Sequence, residues 1–360
     1  MQAHCSGAVP HHREVWLFLL INFLFNFKRL HWRGFFMQKI GSITSTADAN
    51  GEWTNGNVAA GTPPTILDAA WFNTVQRELA NVVTAGGLSL DSSNDAQVLA
   101  ALKLLIKGGV TGVVGEARNA KMSVTAASAT ATFTAEELIV GAALGGLQYR
   151  IGNFNKAINL ATTGVGGMDT GTAPVSGFVA LYAIYNPSTN ASALLAVNAT
   201  AAVVPEVYGG ANMPAGYTAS ALVSVWGTNA SSQFKIGSQN GRRVFFAPVS
   251  VLSTTASGSA NPYSAFSIAS VAPRNAKDVN LTATIGTNTA TGSVYSSVNI
   301  AADSGGSGSG TVTVSGASGA NIASSVTMII PIITSQTLYQ TLFASAGSTT
   351  YNVVISLYTF

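Results

Sequence analysis

The sequence predicts a mainly β protein with a small α-helical module near its N-terminus, and three observations lead there. From Lys121 onward, hydrophobic and hydroxylated residues alternate in short runs separated by Gly, Pro, Asn and Ser. Between Asp68 and Lys107, apolar residues recur instead at helical spacing. Charged residues make up only 9% of the chain, against about 25% in an ordinary soluble domain. A chain so poor in charge has few ways to coat a lone globule, and burying faces against identical copies is one solution.

Residues 1–36 differ in kind from the rest. They hold the only Cys, Cys5, and all four His, together with an apolar run from Val15 to Phe27. That run is short for a membrane span, which needs about 20 apolar residues, and Asn22 and Asn26 interrupt it. No small-residue cleavage site follows it; Lys28-Arg29 stands there instead. The segment reads as upstream DNA translated from an early start codon, with Met37 as the natural start; a genuine signal or anchor and a cytosolic extension are the alternatives. Of 17 Lys+Arg, four lie before Met37, and of 14 Asp+Glu, one does, leaving 13 of each sign after it. The net +3 therefore belongs to the leader, and the neutral body argues against nucleic-acid binding, which needs clustered Lys and Arg.

Residues 37–110 form the expected helical module. Asp68 is a suitable N-cap, because its carboxylate can accept the free N–H groups of a first turn. Trp71, Phe72, Val75, Leu79, Val82 and Val83 follow at helical spacing, and Gly86-Gly87 supplies a left-handed stop. Asn94 and Gln97 have capping-box spacing ahead of Val98, Leu99, Leu102, Leu105 and Ile106. Two short amphipathic helices cannot bury a Trp and a Phe alone, so they must pack on each other, on further copies or on another protein. For Trp71 and Phe72, a place in the core of the helix pair is the expectation.

A middle β domain is expected over 111–252. Thr134-Ala135-Glu136-Glu137 has the form of another capping box, predicting one helical interruption through Val140. Phe178–Tyr185 is apolar on both faces, hence a central strand, with Ala193–Val197 as its hairpin partner. Ala219–Trp226 and Phe234–Ile236 add two strands, and Arg242–Ser250 carries the last. The Ser/Thr/Ala/Gly tract at 253–260 reads as a boundary, followed by a C-terminal β-sandwich or jelly-roll-like tip domain, 253–360. Its strand candidates are Val279–Ile285, Ser293–Ile300, Thr311–Ser315, Val326–Ile333, Thr337–Phe343 and Tyr351–Phe360. Pro331 marks an edge strand or a bulge, and Ser304–Gly310 a mobile loop.

The wording of several stretches resembles that of tailed-bacteriophage and prophage tail fibre proteins. Met37-Gln38-Lys39-Ile40-Gly41, Asn50-Gly51-Glu52-Trp53, Asn55-Gly56-Asn57-Val58, Pro63-Pro64-Thr65-Ile66-Leu67, Trp71-Phe72-Asn73 and Gln76-Arg77-Glu78-Leu79 are similar to their N-terminal module. Tyr208-Gly209-Gly210-Ala211-Asn212-Met213-Pro214-Ala215-Gly216-Tyr217 and Ile355-Ser356-Leu357-Tyr358-Thr359-Phe360 carry the likeness into the second half. The resemblance implies a homotrimeric, largely β fibre, assembled in the bacterial cytoplasm and carried on the virion tail. It would bind baseplate or tail proteins through 37–110, and a host surface glycan or outer-membrane protein through its C-terminal domain.

Catalysis is not expected. After Met37 there is neither His nor Cys, which removes Ser-His-Asp and Cys-His nucleophile systems and the usual zinc ligands. Glu136 and Glu137 are adjacent, while Asp169, Glu206, Asp278 and Asp303 stand apart in sequence. No glycine cluster has dinucleotide or P-loop spacing. The sequence therefore predicts no catalytic, cofactor or metal residues, no membrane insertion and no nucleic-acid partner. Two rival readings stand beside it: a tailspike-like polysaccharide depolymerase, and a secreted bacterial adhesin should residues 1–36 be a true signal. The aromatics Tyr208, Tyr217, Trp226, Tyr263, Phe266 and Tyr339 can stack on sugars, though packing is the ordinary use of each. The candidate receptor-contact residues are Ser304, Gly305, Gly306 and Ser307, since loops on rigid β scaffolds carry recognition. Trp71, Phe72, Val75 and Leu79 are the candidate packing residues of the attachment module.

Overall fold

Asp68 opens the first helix as its side chain requires: its Oδ1 accepts the N–H of Ala70 at 2.7 Å, and α1 runs Ala69–Ala85. The computed structural model describes residues 39–108, 112–258, 262–288, 293–317 and 322–360; the leader 1–36 and the joint at 109–111 lie outside them. The chain divides into two compact units, Met1–Leu105 and Ile106–Phe360.

In the first unit, α1 ends where Gly87 takes φ +76°, a left-handed conformation that any side chain would strain. Gly86 keeps an ordinary φ of −73° and serves a different purpose. A methyl group added there would lie 2.7 Å from the Cβ of Ala101, which is fully buried in the second helix, α2 (Gln97–Gly108). The helices thus approach at a small-residue contact. The expected Asn94–Gln97 capping box does not form. Asn94 accepts the N–H of Ala96, but the Gln97 amide turns back to Asp91, donating to its carbonyl at 2.8 Å and accepting its N–H at 3.0 Å. Reaching a residue on the far side of the turn closes the loop more completely than capping alone.

The second unit begins with β1 (Ala117–Arg118), β2 (Lys121–Val124), β3 (Thr130–Gly141) and β4 (Gln148–Asn159). The helix expected through Thr134–Val140 is instead the second half of β3. Ala131, Phe133, Ala135, Leu138 and Val140 all point into the core, and β-branched and aromatic neighbours favour the pleated alternative. Inward-pointing residues are two apart up to Ala135, then three apart to Leu138, which is the irregularity that mimicked a helix. The partner strand makes the same step between Ile151 and Phe154, where Asn153 takes a left-handed φ of 52°. Matched slips on both strands leave the register unbroken from Thr130↔Asn159 to Gly141↔Gln148.

The expected central strand is β5 (Phe178–Asn186), buried along nearly its whole length and hairpin-paired with β6 (Ala191–Asn198). On its other side lies β7 (Ala219–Gly227), wholly buried. Phe234–Ile236 is not a strand. Phe234 is buried and makes only isolated bridges to Ser128 and Thr228, Ile236 is exposed, and the ladder begins at β8 (Gly237–Asn240). Next, β9 (Arg243–Gly258) runs without interruption past Leu252, so the small-residue tract continues a strand.

The remaining strands are β10 (Ser264–Ser267), β11 (Asp278–Asn288), β12 (Val294–Ala301), β13 (Gly310–Gly316), β14 (Ile322–Pro331) and β15 (Thr337–Thr359). The two candidates at Thr337–Phe343 and Tyr351–Phe360 are one 23-residue strand. Its middle, where the pairing with β9 skips from Ala344 to Thr349, holds the small residues that read as a turn. Among the described residues the strands pair antiparallel, in the order β13-β12-β15-β9-β8-β2-β3-β7-β5-β6, with β11 bridging β15 and β14. Pro331 ends β14, which among the described residues pairs only with β11, as expected of an edge strand. The architecture is mainly β, antiparallel and sandwich-like, and its core continues through the unit from Phe133 and Phe154 to Tyr358 and Phe360. Arg242 fastens the end of β15: its Nε donates to the Phe360 carbonyl at 2.8 Å, and its guanidinium forks onto Glu206 and lies 4.8 Å from the Phe360 ring.

Candidate functional site

The attachment-module residues do not gather into one helix-pair core. Trp71 packs edge-on against Trp53 of the lead-in, with ring centroids 5.4 Å apart, and Phe72 joins at 5.2 Å from Trp71. The Trp53 partnership is invisible to helical periodicity, since Trp53 lies before the helix, in an irregular segment. Val75 is half-buried, while Phe72 and Leu79 remain 47% and 49% exposed. On α2, Leu99, Leu102, Leu105 and Ile106 are also exposed. The predicted apolar stripes exist; on α1 Trp71, Val75, Val82 and Val83 are at least half-buried, whereas most of the α2 stripe is uncovered.

The loop Ser304–Gly310, expected to be mobile, is a tethered turn between β12 and β13. Asp303 Oδ1 accepts the N–H groups of Gly305 at 2.9 Å and Ser307 at 3.0 Å, and the Ser307 carbonyl accepts the N–H of Ala302. Hydrogen bonds from Ser307, side chain and backbone, hold the Asp303 carboxyl below the usual carboxylate range. Gly306 (φ +86°) lies against Tyr263, where an added methyl group would meet the ring's Cε2 at 2.9 Å. Ser304, Gly305 and Ser307 are exposed. They present hydroxyls and backbone, with no charged side chain among them.

The carboxylates do not form a facing pair on a shared strand position. Glu136 points outward and Glu137 is its neighbour on β3, with Arg150 at 3.9 Å from the latter. Glu206 is taken up by Arg242, and Asp169 accepts the Tyr208 hydroxyl at 3.0 Å. Among the described residues, no three His, Cys, Asp or Glu side chains converge as metal ligands. Nor, among those residues, is any helix long and apolar enough to cross a membrane.

Two of the aromatics considered for sugar stacking are buried packing groups. Tyr208 lies edge-on to Tyr182 with centroids 5.6 Å apart, and burial, then Asp169, raises its phenol. Trp226 donates its indole N–H to the Lys235 carbonyl at 2.9 Å. Trp226 also forms the wall of a cavity of about 200 Å³, shared with Phe178, Phe245, Phe246 and Tyr358, which is predominantly apolar.

No protein-family profile matches the chain. A stretch of 74 residues is 39% identical to the "Uncharacterized protein StfP" of Escherichia coli strain K12, covering 19% of this chain and 35% of that protein. The chain thus spans about a third of the length of that relative. Two solved structures align weakly. The cycloalternan-forming enzyme from Listeria monocytogenes, in complex with a pentasaccharide substrate, is 15% identical with a TM-score of 0.20, over 43% of this chain and 15% of that one. A Bacillus thuringiensis Cry1Da tryptic core variant is 6% identical with a TM-score of 0.19, over 70% and 53%. Neither superposition is close enough to carry an argument.

Proposed function

We propose that this chain is a tail fibre component of a tailed bacteriophage or prophage particle, working by adhesion rather than turnover. The observation that carries the reading is the uncovered apolar surface of its helical module. Phe72 and Leu79 are exposed in a segment whose wording, from Met37 to Leu79, resembles tail fibre attachment modules, and Leu99, Leu102 and Leu105 are exposed on the helix that follows. Surface of that kind marks a protein contact, here a baseplate or tail protein and further copies of the chain in a homotrimer. The stretch shared with StfP belongs to a bacterial protein, as a prophage gene product would. The β unit then serves as the host-facing part, meeting a surface glycan or an outer-membrane protein. Several tethered copies raise the effective concentration at the surface, so weak single contacts suffice.

Adsorption tests this. Purified full-length chain, added in excess to cells of the host, should block attachment of the particles produced alongside it. Undiminished adsorption at saturating chain would refute the host-binding half of the proposal.

A further inference from the structure

At four places on the exposed strand faces of the second unit, polar side chains close on their cross-strand neighbours. Ser250 bonds Asn352 at 2.7 Å, Thr282 bonds Thr327 at 2.8 Å, Thr284 bonds Ser325 at 2.8 Å, and Thr311 donates to Asn299. One region does the opposite. Lys121, Thr134 and Asn155 lie in register across β2, β3 and β4, and Glu136 and Asn153 lie further along β3 and β4, between the pairs Ala135↔Phe154 and Glu137↔Gly152. With Asn119 they line a shallow open depression of about 440 Å³. None of these side chains bonds another across the strands; the Thr134 hydroxyl reaches only the Lys121 carbonyl, at 3.4 Å.

Residue choice there runs against local preference. Asparagine is depleted in strands, yet β4 places Asn153 and Asn155 on its exposed face, and among the described residues β4 pairs with β3 alone. The left-handed backbone of Asn153 is accounted for by the matched slip of β3 and β4, which glycine would serve as well. Its amide, like that of Asn155, has no structural use. Local rules broken without an internal gain are where function concentrates.

We propose that this face, formed by Asn119, Lys121, Thr134, Glu136, Asn153 and Asn155, is a saccharide-binding site for a neutral glycan. Amides, one carboxylate, one ammonium and one hydroxyl together offer both donors and acceptors, as the paired hydroxyls of a sugar require. One positive and one negative side chain cancel, so the site has no preference for sulfated or phosphorylated chains. The volume lies within the about 300–1,000 Å³ of ordinary ligand sites and accommodates one or two sugar rings. This inference rests on the reading of the chain as an attachment protein, and it puts recognition on the sheet before β5 rather than at the Ser304–Ser307 turn.

Saturation-transfer NMR on the full chain tests it, with the methyl glycosides of glucose, galactose, mannose, rhamnose and N-acetylglucosamine as probes. The expected result is transfer to at least one of them. The Asn153→Gly/Asn155→Thr variant, which keeps the backbone and strand preference but removes both amides, should bind that sugar about tenfold more weakly. Its thermal midpoint should match the parent's, and Thr282→Val on the other part of the sheet should bind normally. Absence of transfer from all five sugars overturns the proposal, including where the chain still blocks adsorption, a result that would indicate a protein receptor. Transfer undiminished in the double variant overturns the placement. Sugar binding by a chain that does not block adsorption would uphold the site and sink the tail fibre reading instead.

Discussion

Replacing Tyr358 by Phe removes one oxygen from the middle of the β unit, and its effect depends on pH in a way the structure dictates. The Tyr358 ring is 2% exposed and its hydroxyl donates to the Val225 carbonyl at 2.6 Å, tying β15 to β7. At about pH 8 the variant loses that bond and leaves a buried carbonyl short of a donor, costing about 1–2 kcal/mol. Burial pushes the Tyr358 phenol well above its ordinary value, so the folded chain keeps the proton. The unfolded chain releases it near pH 10, so this residue's contribution is complete below that pH and falls by about 1.4 kcal/mol per unit above it. At about pH 11 the parent has therefore lost roughly 1.4 kcal/mol that the Phe variant cannot lose. Tyr182, likewise raised by burial and then by Glu206, behaves the same in both chains and cancels. Urea unfolding followed by tryptophan fluorescence should show a clear gap between the two proteins at about pH 8 that nearly closes at about pH 11. A gap of equal size at both pH values would refute the argument.

Three simpler substitutions follow from the packing. Phe133→Ala empties a fully buried site beside Phe154 and should cost about 3–5 kcal/mol; urea midpoints would show it, and a loss under 1 kcal/mol would contradict the core assignment. Asp68→Ala should cost the first helix about 1 kcal/mol through its lost cap, read as earlier loss of far-ultraviolet helical signal on heating. Gly87→Ala forces a side chain into φ +76° in open space, so the strain alone, about 1–2 kcal/mol, should appear in the same melt.

Much of this fold is legible in the sequence because one physical signal dominates locally. Asp68 has a helix behind it and no competing role, and Phe178–Tyr185 is apolar at every position, so cap and central strand follow directly. The failures occur where two signals coincide. Thr134-Ala135-Glu136-Glu137 carries capping chemistry and a three-residue spacing, and only the matching slip at Asn153 on the partner strand reveals the pair as sheet. The small residues at Ala344–Ser348 look like a turn because nothing local records that Ala344 pairs with β9 and β12 and Ser348 with β11. The turn at Ser304–Ser307 looks loose by composition, yet Asp303, read in sequence only as an isolated acid, anchors it. The open polar face escapes notice for the same reason: Lys121, Glu136 and Asn155 are ordinary apart and become informative only side by side.

A tail fibre component must sit on the tail of an assembled particle. Particles released from the cells that make this protein can be purified and labelled with gold-conjugated antibody against residues 112–360, then imaged by electron microscopy. Gold is expected on fibres extending from the tail end of the particle. Gold confined to the cell envelope, with tails unlabelled, would contradict it.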